Sequence, residues 1–261
     1  MPRFAANLTM LFGEVPFLDR FEAAARAGFR GVEYLFPYEW PAAELRARLD
    51  RHGLVQVLHN LPAGDWGKGE RGIACLPDRV AEFRAGVARA AEYAAALGCP
   101  RVNCLAGIAP AGADPARLRE TLVGNLRFAA ARLGDAGIRL VVEPINTRDM
   151  PGFFLHRTAQ ALSVLDEVGA PEVGLQYDAY HMQVMEGDLA RTLENCLPRI
   201  GHVQIADVPG RHEPGTGEIH YPFLFDLLDR LGYAGWVGCE YRPAGTTEAG
   251  LGWFAPWRGR G

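Results

Sequence analysis

The five cysteines of this chain, Cys75, Cys99, Cys104, Cys196 and Cys239, are odd in number and form no C-x-x-C pair. That excludes a disulfide scaffold or a zinc ribbon and points to a reducing, cytoplasmic setting. No apolar run approaches the ~18 residues that a membrane-spanning helix requires. The opening residues Met1, Pro2, Arg3 and Phe4 run straight into a strand-like stretch, with no basic and apolar leader, so no secretory signal is expected. A basic excess is missing as well, since 27 Lys plus Arg face 31 Asp plus Glu for a formal net charge of -4. Proteins that grip a phosphate backbone carry the opposite sign, which argues against nucleic acid as partner. Lysine is nearly absent: Lys68 is the only one, and codon bias in the encoding genome is a sufficient reason.

What is present is a globular composition, 49% hydrophobic and 22% charged over 261 residues. Short β-rich runs alternate with amphipathic stretches. Strands are expected at 4–10, 31–36, 54–61, 101–106, 139–146, 173–181, 202–208 and 236–241. Helices are expected at 17–27, 42–52, 78–97, 115–136, 158–168, 189–200 and 223–231, each followed by glycine. A glycine just past the last turn supplies the left-handed cap that ends a helix. About eight β-then-α units in roughly 250 residues make a single (β/α)₈ barrel spanning 1–261. The competing open sheet would place G-x-G-x-x-G after its first strand. That turn instead reads Thr9-Met10-Leu11-Phe12-Gly13-Glu14. From about residue 243 the chain becomes irregular and Trp-rich, a tail expected to pack on the barrel wall or at a subunit interface.

Chemistry in such a barrel sits at the C-terminal ends of the strands. The last four expected strands bring Glu143, Asp178, Gln204 and Glu240 to comparable depth, separated by 35, 26 and 36 residues. Any one of them could be a solvated strand end or a helix cap. Three carboxylates together repel unless a cation joins them, and an all-oxygen set favours Mg²⁺ or Mn²⁺ over Zn²⁺. His181 follows Asp178 closely and is a candidate for substrate contact, while Asp207 is a candidate support. His59, Asn60 and Asn103 lie near two further strand ends. Two Gly-rich loops, 64–72 and 209–218, carry Lys68, Arg71 and Arg211, any of which could meet a carboxylate. The first loop reads either as a flexible solvent loop or as a lid; in the second, Glu213 could support Arg211.

Several stretches resemble the hydroxypyruvate isomerase family, within the broader xylose-isomerase-like barrels. They are Phe4-Ala5-Ala6-Asn7-Leu8, Gly31-Val32-Glu33-Tyr34-Leu35-Phe36-Pro37-Tyr38, His59-Asn60-Leu61-Pro62-Ala63-Gly64-Asp65-Trp66, Gly69-Glu70-Arg71-Gly72, Glu143-Pro144-Ile145-Asn146, Gln176-Tyr177-Asp178 and the run from Ala206-Asp207 to Gly217-Glu218. The last run is the most specific. The resemblance implies a cytosolic barrel enzyme interconverting hydroxypyruvate and tartronate semialdehyde. It also implies Glu143 and Glu240 as the acid/base pair, with Glu143, Asp178, Gln204 and Glu240 around a divalent cation. Relatives acting on the four-carbon 2-dehydrotetronate share these motifs. The residues suit this chemistry independently, because shifting a carbonyl to its neighbour needs a base and an acid on adjacent carbons.

Rival readings are a ketose 3-epimerase, an endonuclease IV type nuclease and a non-catalytic barrel. The first typically has histidine where Gln204 stands, the second needs several histidine ligands and a basic surface, and the third leaves the opposed carboxylates unexplained. The expected partner is a small anionic 2-oxo acid, with no nucleic acid and no membrane; a homo-oligomer is left open.

Overall fold

Strands buried on both faces read as nearly continuous apolar runs, and they belong in a parallel sheet wrapped by helices. In the computed structural model, which describes residues 2–258, eight such strands close into a barrel in sequence order. The elements are β1 Arg3–Asn7, α1 Arg20–Ala27, β2 Gly31–Glu33, α2 Ala42–His52, β3 Val55–Asn60, α3 Val80–Leu97, β4 Arg101–Cys104 and α4 Pro115–Gly134. They continue as β5 Arg139–Val142, α5 Thr158–Val168, β6 Val173–Asp178, α6 Ala179–Met185, α7 Leu189–Cys196, β7 Ile200–Ile205, α8 Tyr221–Arg230 and β8 Trp236–Cys239. Closure comes from β1 lying parallel to β8, with Ala5 opposite Gly238. Among the described residues no helix is long and apolar enough to cross a membrane. All five cysteines are buried and unpaired.

Several strands stop earlier than their apolar runs suggest. Residues 143–146 and 206–208 are buried although β5 and β7 end before them. They form the roofed mouth of the barrel, where loops rather than strand neighbours exclude water. Helix ends follow the glycines at α1, α2, α3 and α5, where Gly28, Gly53, Gly98 and Gly169 take left-handed caps. Gly201 differs, because the helix expected to end there stops at Cys196 and a short Leu197–Arg199 turn carries the chain into β7.

The Trp-rich tail forms a 3-10 helix, Glu248–Trp257. Its Trp253, Phe254 and Trp257 gather edge-on around Phe4, with ring centroids 5.2, 6.0 and 5.6 Å away. Each such aromatic pair contributes about 0.5–1.5 kcal/mol beyond its buried area. The tail thus closes the barrel wall beside β1. Its last residues, 259–261, and Met1 lie outside the described residues.

Candidate active site

Asp178 ends β6 and begins α6 at the same time. Its Oδ1 accepts the Tyr180 backbone N–H at 2.8 Å, which makes it the cap of α6. A capping carboxylate stabilises the first turn by binding an otherwise orphaned donor. That turn carries Tyr180 and His181 into the barrel mouth, where both line a cavity of about 490 Å³. The strand expected over 173–181 is therefore cut at Asp178 by this local cap. The other oxygen, Oδ2, is buried and makes no hydrogen bond.

Glu143 and Glu240 stand one residue beyond β5 and β8 and line the same cavity. Glu143 Oε2 accepts from Asn103 Nδ2 at 3.0 Å, and Oε1 has no hydrogen-bond partner. Glu240 Oε2 accepts from Arg211 Nη2 at 3.1 Å, and Oε1 from Asn7 Nδ2 at 3.4 Å. Burial pushes the Glu143 carboxyl well above its usual range, reinforced by the charges of Glu240 and Asp178. Burial likewise lifts Glu240 to about 8, against the pull of Arg211. Asp178 rises to about 6 by burial, restrained by Arg211 and by the amides of α6. These are the signatures of acids held ready to exchange protons.

His181 completes the group. Its Nε2 lies 3.6 Å from Asp178 Oδ2 and 3.8 Å from Glu143 Oε1. The Asn146 contact at 2.6 Å outweighs the longer 3.5 Å approach of Arg211 Nη2 to Nε2 in deciding which nitrogen bears the proton. Asn146 Oδ1 accepts the Asp149 N–H at 2.7 Å, so its Nδ2 faces His181 Nδ1 at 2.6 Å. A donor on Nδ1 leaves the proton on Nε2 of the neutral ring. Burial and the Arg211 charge keep the ring neutral. His181 therefore presents an N–H to the cavity rather than a lone pair.

Below this group lies a polar floor. Glu33 accepts from Gln204 Nε2 at 2.7 Å and Asn7 Nδ2 at 3.1 Å, and its other oxygen lies 2.7 Å from His202 Nε2. Gln204 is level with Asp178 across the β6–β7 ladder. Its nitrogen faces Glu33 and its Oε1 accepts from Gln176 at 2.6 Å. The structure thus places Gln204 next to the acid group but engaged in the floor. Glu33 and Asn7 are site residues that the sequence analysis did not single out. The same strand-end rule, applied to β1 and β2, would have found them.

The loop from 207 to 219 is organised by Asp207. Its carboxylate accepts four backbone N–H groups, from Val208, Gly215, Gly217 and Ile219, at 2.9, 2.9, 2.9 and 3.0 Å. The loop delivers Arg211, whose φ of 56° turns the side chain inward. Its guanidinium is only 11% exposed, stacks 5.0 Å over the Tyr180 ring and lies 3.9 Å from Asp178. Glu213 does not support it; that carboxylate accepts the Ala244 N–H at 3.0 Å. In the first loop Arg71 stacks 4.1 Å from the Trp66 ring, and both line the cavity. The loop is pinned by Glu70, which meets Arg79 at 2.7 Å.

Two expected cavity residues lie elsewhere. Lys68 is 83% exposed, paired with Asp65 at 2.9 Å, and does not line the cavity. The Asp65 cap that starts the Trp66–Lys68 turn holds the lysine outward. His59 is buried in the wall, its Nδ1 3.2 Å from Gln56 Nε2. Side chains alternate along a strand, so with Asn60 lining the cavity its neighbour must face away. Burial depresses the His59 pKa to about 4. The native state then resists a proton that the unfolded chain accepts below about 6.5. Stability present at neutral pH should fall as pH drops from about 6.5 to about 4, by about 3 kcal/mol from this group. Urea unfolding of the protein and of His59→Gln at pH 7 and pH 4.5 checks it; equal pH slopes in both would contradict it.

The acid group fits a divalent cation. Carboxylate oxygens of Glu143, Asp178 and Glu240 lie within 4.8 Å of one another, and a His181 ring nitrogen falls inside the same span but serves as a donor rather than a ligand. Two of the carboxylate oxygens, Glu143 Oε1 and Asp178 Oδ2, are buried without a hydrogen bond. Orphaned anionic oxygens facing one point are what a bound cation would satisfy.

An eight-stranded parallel barrel with its acids at the C-terminal mouth defines a class, and this chain belongs to the xylose isomerase-like TIM barrel family, which matches residues 21–257. Within it, the chain is 56% identical over 260 residues to a 2-oxo-tetronate isomerase of Cupriavidus necator, covering 100% of both. It is 56% identical over 258 residues to a hydroxypyruvate isomerase of Escherichia coli K12, covering 99% of this chain and 100% of that one. A crystal structure from Brucella melitensis described as an AP endonuclease, family 2, superposes with a TM-score of 0.97 at 51% identity, over 99% of this chain and 100% of that chain.

Proposed function

We propose that this single barrel domain is a cytoplasmic isomerase that interconverts hydroxypyruvate and tartronate semialdehyde. The observation that carries the reading is the pair of buried carboxyl groups, Glu143 and Glu240, both raised well above the usual carboxylate range, beside a neutral His181 N–H in one cavity. One carboxylate removes a proton from C3 of hydroxypyruvate. The electrons move through the enediolate to the C2 oxygen, and the other carboxyl returns a proton to C2. The hydroxyl proton at C3 passes to the C2 oxygen as the new aldehyde forms, so that the product carries its hydroxyl on C2. His181 Nε2–H donates to a substrate oxygen as negative charge gathers there. Mg²⁺ or Mn²⁺, held by Glu143, Asp178 and Glu240 with Gln204 adjacent, would supply electrostatic stabilisation of that charge. Arg211 and Arg71 are the cations that meet the substrate carboxylate.

A second reading, isomerisation of the four-carbon 2-dehydrotetronate, is favoured by the Cupriavidus relative at the same 56% identity. A nuclease reading is opposed by a group holding one histidine among three carboxylates and by the net charge of -4. Purified protein loaded with Mg²⁺ or Mn²⁺ should turn over one of the two 2-oxo acids. Cleavage of abasic DNA with both acids inert would overturn the reading. Chelation should abolish turnover and either ion restore it; full activity in metal-free protein would remove the cation from the account.

Cation roles separate by kinetics. Arg71→Ala should raise KM about 10-fold or more, the worth of a charged hydrogen bond. Lys68→Ala should leave KM within about twofold, as expected of an exposed pair. An unchanged KM in Arg71→Ala would leave Arg211 as the sole carboxylate partner.

A further inference from the structure

The far end of the barrel carries a second feature that the isomerase chemistry does not use. Arg101 opens β4 and Arg139 opens β5, and the strands pair them as direct neighbours. By the two-residue alternation of a strand, Arg139 shares the inward face of Val141, and Arg101 that of Asn103. Val141 belongs to the apolar plug inside the barrel, with Ala5, Val57 and Trp236. The Arg139 guanidinium lies against Gly174 of β6 and Gly201 of β7. A Cβ at Gly174 would meet its Nη2 at 2.9 Å, and one at Gly201 its Nε at 3.3 Å. Gly174 makes the room that the guanidinium occupies, and Gly201 makes room first for Val141 Cγ1, 2.6 Å from such a Cβ, and then for the guanidinium.

Neither arginine side chain makes a hydrogen bond or ion pair among the described residues, and Arg139 Nε is buried without a partner. Burial and the neighbouring Arg101 charge both work against the charge on Arg139, and no carboxylate offsets them. An unpaired, partly buried cation beside a like charge is destabilising, and a bound counter-charge reverses that. The two line an open pocket of about 320 Å³ with Ile200, Gly201, Tyr233 and Gly235. Arginine forks suit tetrahedral oxyanions, and two of them match two negative charges. The pocket also leaves space beyond a bare phosphate for an ester substituent.

We propose that this pocket at the N-terminal end of the barrel binds a phosphate group, as the free ion or as a phosphomonoester. Glu143 stands four residues further along the same strand direction, roughly 13 Å away, so the ligand would not touch the reacting atoms.

The test is thermal unfolding and titration calorimetry of the metal-loaded protein with inorganic phosphate and, separately, glycerol 3-phosphate, against chloride of equal ionic strength. Saturable binding and a Tm rise of about 5 °C at one hundred times Kd are expected. Arg139→Met should lose at least about 10-fold in affinity, while its Tm without phosphate stays level or rises. Arg101→Met, nearer the rim, repeats the test should Arg139→Met fail to fold, and its isomerase turnover should be unchanged. Tighter binding of the ester assigns the site to a phosphorylated metabolite, and equal binding assigns it to free phosphate. No Tm rise beyond chloride with either ligand, or full affinity retained in both variants, overturns the proposal.

Discussion

Replacing Glu240 by glutamine should cut turnover by about 10²–10⁴-fold, the usual worth of general acid–base catalysis, while the barrel stays folded. Glutamine keeps the size and one oxygen, which can still accept from Arg211 3.1 Å from Oε2, while its amide nitrogen replaces the Oε1 that Asn7 meets at 3.4 Å. It cannot take a proton. Glu143→Gln should lose a similar factor, since Glu143 shares the cavity and the raised pKa. The double variant should lose less than the product of the two single losses, because both groups serve one proton-transfer cycle. Solvent deuterium should appear at the carbon that receives the proton. Near-normal turnover in Glu240→Gln with metal bound would end the two-carboxylate account, and His181 would be the next group to replace.

The second large effect is expected far from the reacting carbons. Asp207→Ala removes the acceptor of four loop amides, those of Val208, Gly215, Gly217 and Ile219. Leaving several buried donors unpaired should cost about 3 kcal/mol or more. The loop also aims Arg211, so KM should rise as well. Urea unfolding, limited proteolysis within 208–218 and steady-state kinetics read the three consequences. A stability change under about 1 kcal/mol would mean that other contacts hold the loop.

The barrel was legible because alternation of apolar runs with glycine-ended amphipathic stretches has few other solutions. Glu143, Asp178 and Glu240 were legible for a related reason: an acid at the end of an apolar strand stands out. α6 was hidden because Ala179, Tyr180 and Met182 continue the apolar run of β6, and only the Asp178 cap marks the change. His59 was misplaced to the mouth because alternation gives the mouth to one of two adjacent polar residues, and composition does not say which. Lys68 sits in the right loop, but its direction depends on an Asp65 contact that no motif records. Glu33 and Asn7 escaped notice because their strands are short and their partners, Gln204 and Glu240, come from the other end of the chain.

Asp178 has one oxygen on the α6 amide and the other buried beside His181 without a hydrogen bond. Positions 178, 180 and 181 therefore form one inherited block, and a change at the first reorients the other two. Anyone reshaping this enzyme for a longer or differently charged substrate would do better to leave that block intact. Trp66, Arg71 and, at the exposed rim, Arg242 line the same cavity, and none of the three caps an α-helix. Arg242 offers a position from which specificity can be altered by itself, whereas Trp66 and Arg71 stack on each other and change as a pair.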